Sequence, residues 1–515
     1  MFKYATPEQC GVSSKNIKKY VSLLEKYGLS THNVIMARGD KIFFEQYWEP
    51  FNADFTHRLY SVTKSFVAIA VGFLIDEGKL SLDGKIVDYF KDDVPENVIK
   101  NVKDQTVRDM LMMSTGFPLS RGNWFADKGD RVKFYFNKSS GDINTAGDKS
   151  KIPGSFFEYD SNGSFILGAL VERISEKTLV EYLREKLFDK IGVSDTIHCL
   201  KCPGGHSWSD SALLATPLDL LKVARFTLNY GSWNGEQLLS REYLKEATSA
   251  LIDNSADGLV SFQSFGYGYQ IWRTWQDSFF FNGMGCQFAI CVPHTDMILI
   301  YNGDNQGNGN AKNVIIDRFF EEIVDTATDL PLPEDAEAQG ELKEYCKGLK
   351  LYCLDGKPFS DTASAVSGKE YILENNPMGI TKVKFTFNGD GGVFEYTNPR
   401  GEKKLPFGMC KNLFTKFPES YSDEVGSHIK DGHEYDAAVS AAWREDNLLG
   451  IAVQVIDEYF GRLYFAVRFF PDGKIAIQCV KTAEDFFHGY SGYAYGRAPE
   501  SLRRRMATRT VCEHT

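Results

Sequence analysis

The chain has 515 residues, enough for two or three domains, and its 43% hydrophobic and 25% charged content excludes a largely disordered protein. A formal net charge of -11 leaves no basic surplus to neutralise phosphates, which argues against nucleic acid as the main partner. The first 30 residues show no basic stretch followed by an apolar one, no apolar run reaches membrane-spanning length, and the ten cysteines fall in no paired pattern. The expectation is a cytoplasmic protein with reduced thiols and no membrane partner.

Val34 to Phe44 reads as strand, tight Gly39-Asp40 turn, strand. A buried helix is predicted from Ser61 to Glu77, because Leu59, Val62, Phe66, Ile69, Ala70, Phe73 and Leu74 cover more than one face, and Gly78 serves as its C-cap. Thr106 to Met113 reads as a short amphipathic helix ending at Ser114-Thr115-Gly116. Residues 119–151 are polar, carry Trp124, Phe125, Phe134, Tyr135 and Phe136, and are long enough to wall a site. Glu158 to Phe188 gives a strand end and then helix, and Thr216-Pro217 opens another helix running to Asn229. Ser278 to Pro293 and Met297 to Asn302 read as paired strands around Gly283-Met284-Gly285, followed by a helix from Asn313 to Thr326. Strand, helices, then strands imply an α/β sandwich with an antiparallel central sheet covered by helices.

The Pro-rich acidic run Asp329 to Glu337 marks a boundary, giving a first domain at 1–328, a linker at 329–340 and a second domain at 341–515. The second domain opens with a short helix from Glu341 to Lys350. From Glu370 to Val480 short alternating strands follow, divided by turns such as Asn388-Gly389-Asp390-Gly391-Gly392 and Pro471-Asp472-Gly473, the pattern of a small all-β barrel or sandwich. Arg503-Arg504-Arg505 reads as a solvated tail.

Ser61 and Lys64, three residues apart at the head of the apolar helix, share one helix face, so a lysine amine reaches a serine hydroxyl. A desolvated amine at the positive end of a helix yields its proton readily and turns the serine into a nucleophile. The spacing alone recurs by chance, and Ser61 as an N-cap with Lys64 on the surface also explains it; the apolar surroundings favour chemistry. Cys199 and Cys202, flanked by His198 and His206, lack a second ligand pair, so no metal is expected, and no cofactor either. Cys286 reads as a small packed residue and His57 as a structural hydrogen bonder. Trp124 and Trp208 are candidate substrate contacts.

Further segments, in order, carry a resemblance. Gly78 to Asp83, Thr106 to Leu111 with Ser114-Thr115-Gly116, Pro153 to Tyr159 with Leu167-Gly168, Ala215 to Leu220, and Phe265 to Tyr269 accompany Ser61-Val62-Thr63-Lys64. Together they resemble the class C β-lactamase-related serine hydrolases, of the penicillin-recognising group, over about residues 5–325. The resemblance implies a β-lactamase/DD-peptidase-like fold with a helical subdomain. It also implies an acyl-enzyme on Ser61, with Lys64 and Tyr159 sharing the proton transfers and the backbone N–H groups of Ser61 and Met284 forming the oxyanion hole. Two positions depart from the family. Its Y-x-N asparagine falls at Ser161, and its third motif aligns to Phe281-Asn282-Gly283, without the usual lysine or histidine. Ser161, Phe281, Asn282, Gly283 and Trp124 are carried as substrate-binding candidates.

The strand Gly283-Met284-Gly285-Cys286-Gln287 resembles members with esterase and amidase chemistry. The second domain, through Gly368-Lys369-Glu370-Tyr371 and Ala442-Trp443, resembles accessory domains of D-aminopeptidase-like and esterase-like enzymes, and is a candidate surface for homo-oligomer formation. The expected function is hydrolysis of an amide or ester in a small molecule or short peptide. The alternatives are a DD-peptidase or β-lactamase, and a non-catalytic binding protein that retains the fold.

Overall fold

The computed structural model describes residues 2–116, 129–138, 152–202, 204–257, 261–420, 434–482, 487 and 489–499. Trp124, most of the 119–151 segment and the basic terminus lie outside the described residues. Two compact units are resolved, the first ending at Lys350 and the second starting at Leu351.

The first unit is built on seven strands: β1 (Lys3–Tyr4), β2 (Thr31–Arg38), β3 (Lys41–Tyr47), β4 (Trp272–Thr274), β5 (Ser278–Gly283), β6 (Gln287–Val292) and β7 (Met297–Gly303), in spatial order β1-β3-β2-β7-β6-β5-β4. All neighbours pair antiparallel except the short edge strand β1, whose Lys3 sits opposite Lys41 in parallel register, so the sheet is mixed rather than purely antiparallel. Both faces are apolar, so the strands read as near-continuous hydrophobic runs and the period of two sorts them between two cores. Ile35, Ala37, Phe279, Phe281, Ala289, Cys291, Ile298 and Ile300 face one core, and Val34, Met36, Phe280, Phe288, Ile290, Leu299 and Tyr301 face the other.

The first core is covered by helices α2 (Thr63–Asp76), α3 (Val107–Leu111), α4 (Ser161–Ser175) and α5 (Pro217–Leu228); the second by α1 (Ser14–Lys26), α6 (Ala311–Phe319) and α7 (Ala336–Cys346). Sequence chemistry sets their starts. Asp160 caps α4 by accepting from the Asn162 N–H, and Thr216 caps α5 with Pro217 in its first turn. Helix α2 is buried along nearly its whole length, as its apolar composition requires.

The segment 329–340 is not a free linker. The Leu332 N–H donates to the Glu8 carbonyl at 2.8 Å, Gln339 Nε2 donates to Glu8 Oε2 at 2.8 Å, and α7 packs on α1. Leu342, Cys346 and Leu349 are buried in the first unit's core, which moves the boundary to Lys350. Apolar residues beyond the acidic run, where the sequence reading placed a second domain, close the first one instead.

The second unit carries β8 (Glu370–Leu373), β9 (Lys382–Asn388), β10 (Gly391–Asn398), β11 (Gly401–Met409), β12 (Leu413–Ser420), β13 (Glu434–Glu445), β14 (Leu448–Ile456), β15 (Phe460–Phe469), β16 (Lys474–Thr482) and β17 (Gly492–Arg497). Their order is β11-β10-β9-β8-β17-β16-β15-β14-β13-β12, and β11 also pairs with β13 through Gly408 and Met409 opposite Ser440 and Ala441. That pairing closes a nine-stranded barrel, which removes the open edges a ten-stranded sheet would expose. Among the described residues no helix is long and apolar enough to cross a membrane.

Gln270 ties the helical layer together. It is buried with a φ of +56°, Nε2 donates to the carbonyls of Met110 (3.0 Å) and Leu111 (2.8 Å), and Oε1 accepts from Ser164 Oγ (2.6 Å). Its own carbonyl accepts from Ser65 Oγ at 2.8 Å. One side chain and its carbonyl thus join α2, α3 and α4. Gln270→Leu removes these three side-chain hydrogen bonds from a buried site, and urea unfolding should show a loss of roughly 2–4 kcal/mol.

Candidate active site

Ser61 lies in a single 3-10 turn, Tyr60–Val62, that feeds α2. The turn is held from three sides. The Leu59 N–H donates to the Leu213 carbonyl (2.8 Å), and the Leu213 N–H donates back to Thr63 Oγ1 (3.1 Å). Gly283 at the end of β5 presses against the same turn: a Cβ there would lie 2.3 Å from the Leu59 carbonyl oxygen, so only glycine fits. Tyr60 is held at φ +48°, a left-handed conformation unusual for a bulky residue and sustained by this packing.

Lys64 is 2% exposed, and its ammonium donates to Ser61 Oγ at 3.0 Å and to the Asp210 carbonyl at 2.6 Å. The Tyr159 ring centroid lies 5.3 Å from the same nitrogen. Tyr159 stacks on Trp272 of β4, ring centroids 5.6 Å apart and planes 24° from parallel. Its segment is tied to the turn after α3: the Glu158 N–H donates to the Met113 carbonyl (2.8 Å), the Gly154 N–H to the Ser114 carbonyl (3.0 Å), and Thr115 Oγ1 to Asp160 Oδ2 (3.0 Å). Burial raises the Asp160 carboxyl above its ordinary range, while hydrogen bonds from the Gly163 N–H, Thr115 Oγ1 and the Asn162 N–H oppose the rise.

Met284, Gly285 and Cys286 form the turn between β5 and β6, with φ of +73° at both Gly285 and Cys286. Gln287 anchors it. Its Nε2 donates to the carbonyls of Gly303 (2.6 Å) and Met284 (3.2 Å), and its Oε1 accepts from Asn302 Nδ2 (2.9 Å). The Met284 carbonyl is therefore fixed by Gln287 while Gly283 packs against the Ser61 turn, and the Met284 N–H has no hydrogen-bond acceptor among the described residues.

The structure thus gathers Ser61, Lys64, Tyr159, Gly283 and the Met284 turn. Ser161 is the first residue of α4 and is half-buried; it makes no hydrogen bond to Ser61, Lys64 or Tyr159. Phe281 is fully buried in the core with Val62 and Phe66, so its ring fills packing space rather than a pocket. Asn282 points the other way and accepts from Lys312 Nζ at 3.1 Å. Trp208 is also buried, between the guanidinium groups of Arg58 (4.9 Å) and Arg131 (4.7 Å), and takes no part as a surface contact. His206 Nδ1 lies 2.8 Å from Glu172 Oε2 and His198 Nδ1 2.9 Å from the Thr196 carbonyl. The Asp210 carbonyl, Trp272 and Lys312 carried no motif and come to the site from separate elements; only the glutamine of the Gly-x-Gly-x-Gln strand was visible beforehand.

His57 sits among Phe51, Phe55 and His32, and burial pushes its imidazole down to about 3. It is neutral at working pH and faces these rings. Below pH 6.5 the unfolded chain takes up a proton that folded His57 refuses until about pH 3, so stability falls as pH falls across that window. His57→Phe should remove a contribution to that slope of about 1.4 kcal/mol per pH unit, read by urea unfolding at pH 6.5, 5.5 and 4.5.

The sheet with its two helical layers is a beta-lactamase-like fold, and it brings Ser61, Lys64 and Tyr159 together. A beta-lactamase family model matches residues 16–314, more than half of the chain, and the chain belongs to that family. It is 24% identical over 289 residues to the 6-aminohexanoate-dimer hydrolase of Paenarthrobacter ureafaciens, covering 52% of this chain and 71% of that one. Among solved structures, the octameric penicillin-binding protein homologue from Pyrococcus abyssi covers 94% of this chain and 99% of its own at 14% identity, with a TM-score of 0.48. A penicillin-binding protein homolog from Caulobacter crescentus covers 61% of this chain and 99% of its own at 16% identity, with a TM-score of 0.48.

Proposed function

We propose that this protein is a serine hydrolase that cleaves an amide or ester bond of a small molecule or short peptide through an acyl intermediate on Ser61. The observation that carries the reading is the 3.0 Å contact between Lys64 Nζ and Ser61 Oγ, with the Tyr159 ring over the same nitrogen. Ser61 Oγ attacks the carbonyl carbon while its proton passes into the Lys64–Tyr159 pair. The developing oxyanion is received by the N–H groups of Ser61 and Met284, the second in a turn whose Met284 carbonyl Gln287 holds. Tyr159 returns a proton to the leaving nitrogen or oxygen, and water then releases the acyl group. The name of the Paenarthrobacter relative, an aminohexanoate-dimer hydrolase, supports an amide among the bonds cleaved. The apolar Phe281, where β-lactamases and penicillin-binding proteins hold a cation, weighs against those activities.

Fluorophosphonate labelling tests the mechanism. Wild type should label, Ser61→Ala should not, and Lys64→Ala should label at least ~100-fold more slowly. Labelling that survives in Ser61→Ala overturns the mechanism, absence of labelling in wild type favours a binding protein, and nitrocefin turnover matching that of p-nitrophenyl esters favours a β-lactamase. Self-association through the second unit belongs to the same reading. Ile372, Val480, Tyr493 and Tyr495 lie exposed on adjacent barrel strands, and light scattering should report a mass that falls to the monomer in Tyr493→Glu with Tyr495→Glu.

A further inference from the structure

Arg58 stands three residues before Ser61 and is fully buried, an uncommon place for a guanidinium. It lies in the two-residue strand His57–Arg58, which pairs antiparallel with Leu213–Ala215 and sets Arg58 opposite Leu214. From there its side chain reaches back along the partner segment. Nε donates to the Ser211 carbonyl at 3.1 Å, and a terminal nitrogen lies 3.5 Å from Ser211 Oγ. The guanidinium carbon stands over two rings, 4.8 Å from the centre of Tyr60 and 4.9 Å from that of Trp208.

These contacts fall on both halves of the Lys64 environment. Ser211 follows Asp210, whose carbonyl accepts from Lys64 Nζ at 2.6 Å. The two carbonyls belong to adjacent peptide planes hinged at one Cα, so fixing the second restricts the first to small rotations. Trp208 bounds the same turn from its other end, because its carbonyl accepts from the N–H groups of Ser211 (3.2 Å) and Ala212 (2.9 Å). On the opposite side, Tyr60 precedes Ser61 and holds the left-handed φ of +48° that carries the chain into the nucleophile.

We propose that Arg58 is a positioning residue for acyl transfer at Ser61. One guanidinium fixes the Asp210 carbonyl through Ser211 and the nucleophile turn through Tyr60, and so sets where the Lys64 amine stands against Ser61 Oγ. The inference rests on the function proposed above. Arginine suits the task because its donors lie in one rigid plane whose faces remain free to stack on rings. A lysine at this place keeps the charge but offers a point donor on a flexible stem, and holds neither side as firmly.

The test compares the full-length wild type with Arg58→Met, which keeps an unbranched stem and loses every donor. On p-nitrophenyl acetate kcat should fall roughly 30-fold with KM within about twofold, and fluorophosphonate labelling of Ser61 should slow in proportion. Arg58→Lys should recover part of the lost kcat, and it carries the comparison if Arg58→Met does not fold. A second measurement is independent of turnover: limited reductive methylation, read at Lys64 by peptide mass spectrometry against the exposed Lys404. Lys64 should be protected in wild type and methylated at least ~5-fold faster in the Arg58 variants, with far-UV circular dichroism unchanged. A folded variant in which Lys64 stays protected, or in which kcat holds and KM alone moves, overturns the proposal. Loss of Lys64 protection in Arg58→Met, in a protein whose wild type fails to label at Ser61, would uphold the positioning of the lysine and reject the acyl-enzyme reading.

Discussion

The structure of the first unit turns on holding one lysine nitrogen in a dry place. Lys64 is buried, has no carboxylate within ion-pair distance among the described residues, and is satisfied by a hydroxyl and a main-chain carbonyl. A polar nitrogen held this way is costly unless its acceptors are rigidly placed. The Ser61 turn is accordingly strapped to Leu213 by two hydrogen bonds, and the Asp210 carbonyl that receives the lysine belongs to the segment leading into that strap.

The same requirement explains why the two sides of the site are rigid in different ways. On the helical side, Gln270 and the hydrogen bonds between residues 113–115 and 154–160 fix Tyr159 against Trp272. On the sheet side, Gly283 brings β5 against the Ser61 turn, and Gln287 fixes the Met284 peptide from within the adjacent strand. Each side uses a buried carboxamide as its anchor. A carboxamide offers donors and an acceptor in one uncharged plane, so it can join segments that run in different directions without introducing a further charge.

Much of this was legible in the sequence. The helix after Ser61, the paired strands around Gly283-Met284-Gly285 and the alternating strands of the second unit follow from local pattern and turn chemistry, and their positions in the structure agree. The domain boundary was misplaced because an acidic, proline-rich stretch looks like a linker by composition, while the burial of Leu342, Cys346 and Leu349 beyond it depends on a surface offered by α1 and the sheet. Phe281 drew attention as a motif position, yet its place on the inward face of β5 buries it.

The sequence by itself determined that serine and lysine share a helix face, that a tyrosine segment and a glycine-rich strand accompany them, and that an α/β unit precedes a β-rich one. Those features are set by spacing and periodicity over a few residues. Only the tertiary structure decided that the barrel closes through the β11–β13 pairing, that a main-chain carbonyl at Asp210 completes the lysine's shell, and that Lys312 reaches Asn282. These are contacts between residues 30 to 146 positions apart, which no local pattern encodes, because they depend on how the strands and helices stack before any two side chains can meet.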